Sequence, residues 1–204
     1  IVLDMFMGSG TTLFEAETLG HPYIGFDIND EIIANVEGKM RDSNATYFIH
    51  NCDVTNSEKV SLTLSEDLIK LNESGVDLIM SHPPYLDIVK FTNKEEDLSN
   101  VSDLDSFINL FTKGVRNVWP FLKKCQYFVL VIGDLWRKGE VIPLGFYLMD
   151  AIKKTVNCEM KGIVVKDIVG NRRKLGSENL WRARAMKSDH FLFKHEYIFV
   201  FKKI

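Results

Sequence analysis

The stretch Asp4-Met5-Phe6-Met7-Gly8-Ser9-Gly10-Thr11-Thr12 decides how the rest of the chain is read. It closes a short apolar run over residues 1–5. It leads into residues 11–19, where Leu13, Phe14, Ala16 and Leu19 recur at helical spacing. Gly8 and Gly10 therefore sit where a strand turns into a helix. Glycine tolerates positive φ at such a turn and lets a ligand approach the backbone closely. The stretch lacks the third glycine of the dinucleotide fingerprint, and no Gly-Lys-Ser/Thr follows to make a P-loop. Taken alone it fits an ordinary tight turn as well as a ligand cradle.

Working outward, residues 23–26 read as a second strand, closed by Asp27 within Gly25-Phe26-Asp27-Ile28-Asn29. In nucleotide-type folds an acid at that position holds ribose hydroxyls. Residues 46–50 read as a third strand, and Asp53 follows it. Three consecutive strand ends bearing Gly or Asp line one sheet edge, where open α/β folds bind ligands. Asn29 or Asp30 is the expected N-cap of a helix over 31–40, and a helix is expected over 60–72. Further strands are expected at 76–80, 127–132 and 162–168, with a last apolar run over 191–201. Ser102-Asp103 opens a long helix expected to reach Lys123, and another helix covers 142–155.

Strand–helix alternation with near-continuous apolar strands implies a parallel sheet covered on both faces. The last two strands lack a convincing helix between them, which predicts an antiparallel, hairpin-like pair at a sheet edge. At 204 residues, with 46% apolar and 26% charged residues, one globular domain over 1–204 is expected. The chain opens inside an apolar run without a Met, so further residues are expected upstream of Ile1. The longest apolar run is far shorter than the ~18 residues of a membrane helix. Cys52, Cys125 and Cys158 have no metal-ligand spacing, and their odd number fits a reduced, cytoplasmic protein. A net charge of −3 excludes a globally basic nucleic-acid binder, so any such surface is local. Two long loops stand out, about 83–102 and 169–190, and loops of that length in compact domains are usually functional.

The fourth strand runs into Ser81-His82-Pro83-Pro84-Tyr85. Two prolines stiffen the chain there and remove two N–H donors. Tyr85 offers a flat face. A proline-rich turn with a packing Tyr has the same composition, but this one follows the glycine turn at the next sheet position.

These two segments, Leu3 to Thr12 and His82 to Tyr85, resemble the cofactor and catalytic motifs of the amino-group DNA methyltransferases. Those enzymes use S-adenosylmethionine to methylate cytosine N4 or adenine N6. The closing Lys194-His195-Glu196-Tyr197-Ile198-Phe199-Val200-Phe201 is also similar to a strand of the same enzymes. The resemblance implies a Rossmann-like α/β fold. It has a seven-stranded, mostly parallel sheet with one antiparallel strand and helices on both faces. Met5 departs from the family's usual Pro, and His82 from its usual Asp, Asn or Ser. The order of motifs excludes the permuted class in which the cofactor motif comes last. No cysteine follows a proline, which argues against ring-carbon cytosine methylation.

The resemblance also assigns roles. The backbone around Phe6, Gly8 and Gly10 passes the methionine and ribose of S-adenosylmethionine. Asp27 accepts the ribose hydroxyls, and Asp53 accepts from the adenine amine. Asp4 orients the turn or reaches the cofactor's amino group, and Ile28 and Phe6 pack on the adenine. His82 and the Pro83 carbonyl accept the hydrogens of the target amine, Pro84 stiffens the segment, and Tyr85 stacks on a flipped base. His82 accepts only when neutral and in the right tautomer. A locally bonded, purely structural histidine is the other reading. With no fixed negative charge, His82 is nearer to Ser than to Asp, which leans the expectation toward cytosine N4.

The expected partner is double-stranded DNA. The stretch 170–187 carries Arg172, Arg173, Lys174, Arg182, Arg184 and Lys187 against one acid, Glu178, with Trp181 among them. Phosphates attract such a segment and Trp181 can stack on bases. Asp134 and Trp136, after the fifth parallel strand, are expected to border the base pocket, and the loop 87–101 to close over it. RNA or protein amide methylation, and a catalytically inactive DNA-binding subunit, are the competing readings.

Overall fold

The computed structural model describes residues 1–168, 183, 185–187, 189 and 191–204. Among them, seven strands form one sheet in the order β3-β2-β1-β4-β5-β9-β8. These are β1 (Val2–Asp4), β2 (Tyr23–Asp27), β3 (Tyr47–Asn51), β4 (Val76–Ser81), β5 (Leu122–Ile132), β8 (Cys158–Asp167) and β9 (His195–Lys203). Neighbours from β3 to β5 pair in parallel, and β9 runs antiparallel to both β5 and β8. One reversed strand in a mostly parallel sheet is the arrangement expected from the sequence.

Adjacent residues of one strand face opposite layers, as a period of two requires. Leu3, Ile24, Ile79, Phe128, Phe199 and Phe201 join the core formed with α3 (Ser57–Leu71), α4 (Leu104–Val118) and α5 (Leu144–Thr155). Val2 and Tyr23 turn to the other face, against α1 (Thr11–Thr18) and α2 (Asp30–Lys39). The helices start where side chains can cap them. Asn29 accepts from the N–H groups of Glu31 and Ile32, and Asp103 from that of Ser106. Acids in the first turn of α2 and Lys39 in its last turn complement the helix dipole.

Two elements differ from the sequence reading. The helix α4 stops at Val118 instead of reaching Lys123, because Trp119–Phe121 forms a short 3₁₀ turn around Pro120 and β5 starts at Leu122. A hairpin, β6 (Leu135–Arg137) and β7 (Glu140–Ile142), was not expected. Its turn residues Lys138 and Gly139 have φ of 51° and 84°, the positive pair a two-residue hairpin turn requires. No helix among the described residues is long and apolar enough to cross a membrane.

Candidate active site

Because β1 to β5 are parallel, their carboxyl ends share one edge. A cleft of about 1130 Å³ opens there. The glycine turn lines it except at Gly10, which is buried beneath, and so do Asp27, Ile28, Asp53, His82, Pro83, Pro84 and Tyr85. The structure thus brings together both motif sets that the sequence singled out.

The glycine turn is held by acids. Asp4 is buried, and its Oδ1 accepts the Phe6 N–H at 3.1 Å; burial raises its carboxyl above the ordinary range. Of the two roles left open for Asp4, this contact is the turn-orienting one. Gly8 and Gly10 have φ of 51° and 86°. A Cβ on Gly10 would stand 3.0 Å from Val36 Cγ1, whereas one on Gly8 would meet nothing nearer than the Phe6 carbonyl at 4.0 Å. Gly10 is therefore needed for packing, and Gly8 bares backbone to the cleft. Phe6 also lines the cleft.

Asp27 carries a load that the sequence did not reveal. Its Oδ2 accepts the Gly8 N–H at 2.8 Å and its Oδ1 the Asn29 N–H at 2.9 Å. Each oxygen keeps a second lone pair for a ligand. Asp53 is tied similarly, taking the Thr55 N–H and hydroxyl, both at 2.8 Å. Both acids thus shape turns as well as face the cleft.

The loop 83–102 is ordered around buried Asp97, which accepts from Thr92 N–H, Thr92 Oγ1 and Ser99 N–H. It also crosses to the turn after β2. Lys94 Nζ donates to the Ile28 carbonyl at 2.6 Å and to Asp30 at 2.7 Å, and Asn29 Nδ2 donates to the Phe91 carbonyl at 3.2 Å. Its contacts tie it beside Ile28, while Ile88, Val89 and Phe91 line the cleft.

After β4, Pro83 is buried and the His82 side chain is 49% exposed at the cleft. Tyr85 is fixed at its hydroxyl, which donates to Glu196 Oε1 at 2.9 Å and accepts from the Gly133 N–H at 2.9 Å. Glu196 Oε1 also lies 3.6 Å from His82 Nε2, and its Oε2 accepts from Lys166 Nζ at 2.7 Å. His82, then Lys166 and Tyr85, hold the Glu196 carboxyl down at about 2. Burial, with Glu196 beside it, pushes the Tyr85 phenol up.

Beside this group, Asp134 Oδ2 accepts from the Tyr197 hydroxyl at 3.2 Å, and that hydroxyl lies 3.0 Å from His195 Nε2. Asp134 Oδ1 is buried with no hydrogen-bond partner among the described residues, and burial raises the Asp134 carboxyl. Asp134 and Trp136 both line the cleft.

Sequence reasoning missed Glu196 and Gly133. Glu196 stood in the quoted closing segment, near the start of β9, with no local pattern to mark it. The six residues proposed for DNA contact, Arg172, Arg173, Lys174, Trp181, Arg182 and Arg184, lie outside the described residues, as does most of the loop 169–190.

An S-adenosylmethionine-dependent methyltransferase from Methanosarcina mazei superposes with a TM-score of 0.55 at 16% identity, covering 100% of this chain and 92% of the other. The magnesium protoporphyrin IX methyltransferase of Synechocystis PCC 6803, solved with S-adenosylmethionine bound, gives 0.56 at 7% identity, covering 100% and 70%. An rRNA methylase from Streptococcus thermophilus gives 0.52 at 8% identity, covering 100% and 86%. The fold is that of the S-adenosylmethionine-dependent methyltransferases. Within that fold, residues 1–37 match a family model described as DNA methylase, N6_N4_Mtase. The chain resembles the amino-group methyltransferases over this glycine-turn segment. No curated protein sequence matches the chain.

Proposed function

We infer that this chain transfers a methyl group from S-adenosylmethionine to an exocyclic amine of a base in DNA, with cytosine N4 favoured over adenine N6. One observation carries the reading: the glycine turn and the Pro-Pro-Tyr segment open onto the same cleft. The residues present fit the cofactor. Gly8 has positive φ and clear space where a side chain would stand, so its backbone can lie against a ligand. Phe6, Gly8 and Gly10 would flank it, Asp27 would take the ribose hydroxyls on its remaining lone pairs, and Asp53 and Ile28 would meet the adenine. When bound, S-adenosylmethionine supplies a methyl group made electrophilic by its sulfonium.

The protein's own contribution lies with the amine. Its lone pair is delocalised into the base ring, so the nitrogen is a weak nucleophile. The Pro83 carbonyl and an unprotonated His82 nitrogen can each accept one N–H, which favours a pyramidal nitrogen with a localised lone pair. Tyr85, held at its hydroxyl, presents a ring of fixed orientation. Orientation of this kind can lower a barrier substantially. The surplus proton leaves after the nitrogen has become cationic, so no strong base is needed. The basic residues of 169–190 are the proposed phosphate contacts.

The test is incubation of the chain with methyl-labelled cofactor and either DNA or RNA, then mass spectrometry of the nucleosides. Label in DNA as N4-methylcytosine is expected. Label in RNA alone, or no cofactor binding by calorimetry, overturns the reading.

A further inference from the structure

We propose that Glu196, on the antiparallel strand β9, is a positioning residue for the target side of the cleft, fixing the Tyr85 ring and selecting the His82 tautomer. This rests on the methyl-transfer reading above and concerns a residue to which that reading gives no role.

Tyr85 reaches the cleft from the loop after β4, and two other strands hold its hydroxyl. The Gly133 N–H at the end of β5 donates to it, and Glu196 on β9 accepts from it. A phenol has one proton and few useful lone pairs, so these two bonds use it fully. Its ring is thereby stopped from swinging. The same Glu196 oxygen lies 3.6 Å from His82 Nε2, and the two rings meet edge to face at 6.1 Å. That separation is longer than a hydrogen bond. The carboxylate nevertheless favours the neutral tautomer carrying its proton on Nε2, because an N–H facing the anion is attracted and a lone pair is repelled. In that tautomer Nδ1 is the acceptor. Glu196 thus decides which nitrogen of His82 can receive the amine hydrogen.

Three observations support a built arrangement. The Glu196 side chain is 13% exposed, so its charge is only partly screened. Lys166 on β8 holds the other carboxylate oxygen, which leaves Oε1 directed at Tyr85 and His82. His82, Lys166 and Tyr85 outweigh the burial that opposes charge and keep the group ionised through the range in which an imidazole changes charge.

The test joins spectroscopy to kinetics on the whole chain. With ¹⁵N-labelled histidine, the His82 signals, assigned by their loss in His82→Ala, should show Nε2 protonated and Nδ1 bare at pH 8. Glu196→Gln keeps the shape but offers a group that donates as well as accepts, so its spectrum should show mixed tautomers. Turnover should fall about 10- to 100-fold, the cost of a misplaced group. The cofactor KM should stay within about twofold. Glu196→Asp should recover part of the turnover. Tyr85→Phe should lower turnover too, and the double variant should be no worse than the poorer single one, because the two residues act together. A wild-type His82 protonated on Nδ1 overturns the proposal whether or not any variant folds. So does Glu196→Gln turnover close to wild type, or additive losses in the double variant. Absence of any methyl transfer by the wild-type chain overturns the methyl-transfer reading, while the tautomer still tests Glu196 separately.

Discussion

Asp27 and Tyr85 both use their polar atoms on the protein itself, yet they find partners at very different distances along the chain. Asp27 bonds the N–H two residues on and the Gly8 N–H 19 residues back. Asp53 bonds Thr55, two residues on. Tyr85 reaches Gly133, 48 residues away, and Glu196, 111 residues away. The half of the cleft proposed for the cofactor is therefore wired by turn chemistry within neighbouring strand–helix units. The half proposed for the base is assembled only when β9 inserts between β5 and β8. Substitutions should separate the two halves by what each leaves unharmed.

The largest effect is expected on the base side. His82→Ala should lower turnover by about 100-fold or more, the scale of a lost proton acceptor at a reacting group. Cofactor affinity by calorimetry should be unchanged, and His82→Ser or His82→Asp should restore part of the rate. Near wild-type turnover in the Ala variant would assign His82 a structural role and remove the basis for favouring cytosine N4.

On the cofactor side, Asp27→Asn places an amide NH₂ against one of two backbone N–H groups. With one oxygen left to serve both the turn and the ribose hydroxyls, the ligand loses a hydrogen-bond acceptor, about 1–3 kcal/mol, read as a fivefold to hundredfold weaker cofactor Kd. Turnover at saturating cofactor should suffer far less. An unchanged Kd would remove Asp27 from the site.

The two glycines of the turn sharpen the contrast further. Either alanine substitution puts a side chain at positive φ, at about 1–2 kcal/mol. In Gly10→Ala the methyl also crowds Val36 and Phe14, so this variant should melt several degrees lower, about 2–8 °C. In Gly8→Ala the methyl stands in the cleft, so the larger loss should be in cofactor affinity. Equal melting temperatures with equal affinities would contradict the packing seen around Gly10.

The same difference in wiring explains what could be read from the sequence. The caps at Asn29 and Asp103 announce themselves because their partners are neighbours, and the glycine turn, Asp27 and Asp53 because each follows an apolar run at a strand end, although the Asp27 bond to Gly8 does not show there. The reversal of β9 was legible because the sequence between the last two apolar runs shows no convincing helical spacing. The end of α4 was misread because Trp119, Phe121 and Leu122 continue the apolar pattern past the helix end, and Pro120 sits in the 3₁₀ turn between. The hairpin β6–β7 was missed because its strands have three residues each, too few to show a period. Glu196 was hidden for a different reason. Nothing local shows that a strand-end acid will meet Tyr85, since that pairing depends on the whole sheet order.

The smallest effect concerns acid. Glu196 is held at about 2 in the folded protein, first by His82 and then by Lys166 and Tyr85, below its ordinary 4.5. A carboxylate whose folded value is depressed binds fewer protons folded than unfolded. Its stabilising contribution is therefore complete above about 4.5 and is lost as pH falls toward 2. Its partners are well exposed, with His82 at 49% and Lys166 at 51%, so solvent screening should keep the contribution below about 1 kcal/mol. Glu196→Gln does not titrate. Urea midpoints should show wild type ahead of the variant at pH 6, with the gap narrowing below pH 4.5 and closing only near pH 2. A gap that stays constant across that range would mean that the ionised carboxylate contributes nothing to folding. The ties among Tyr85, His82 and β9 would then rest on shape and neutral hydrogen bonds.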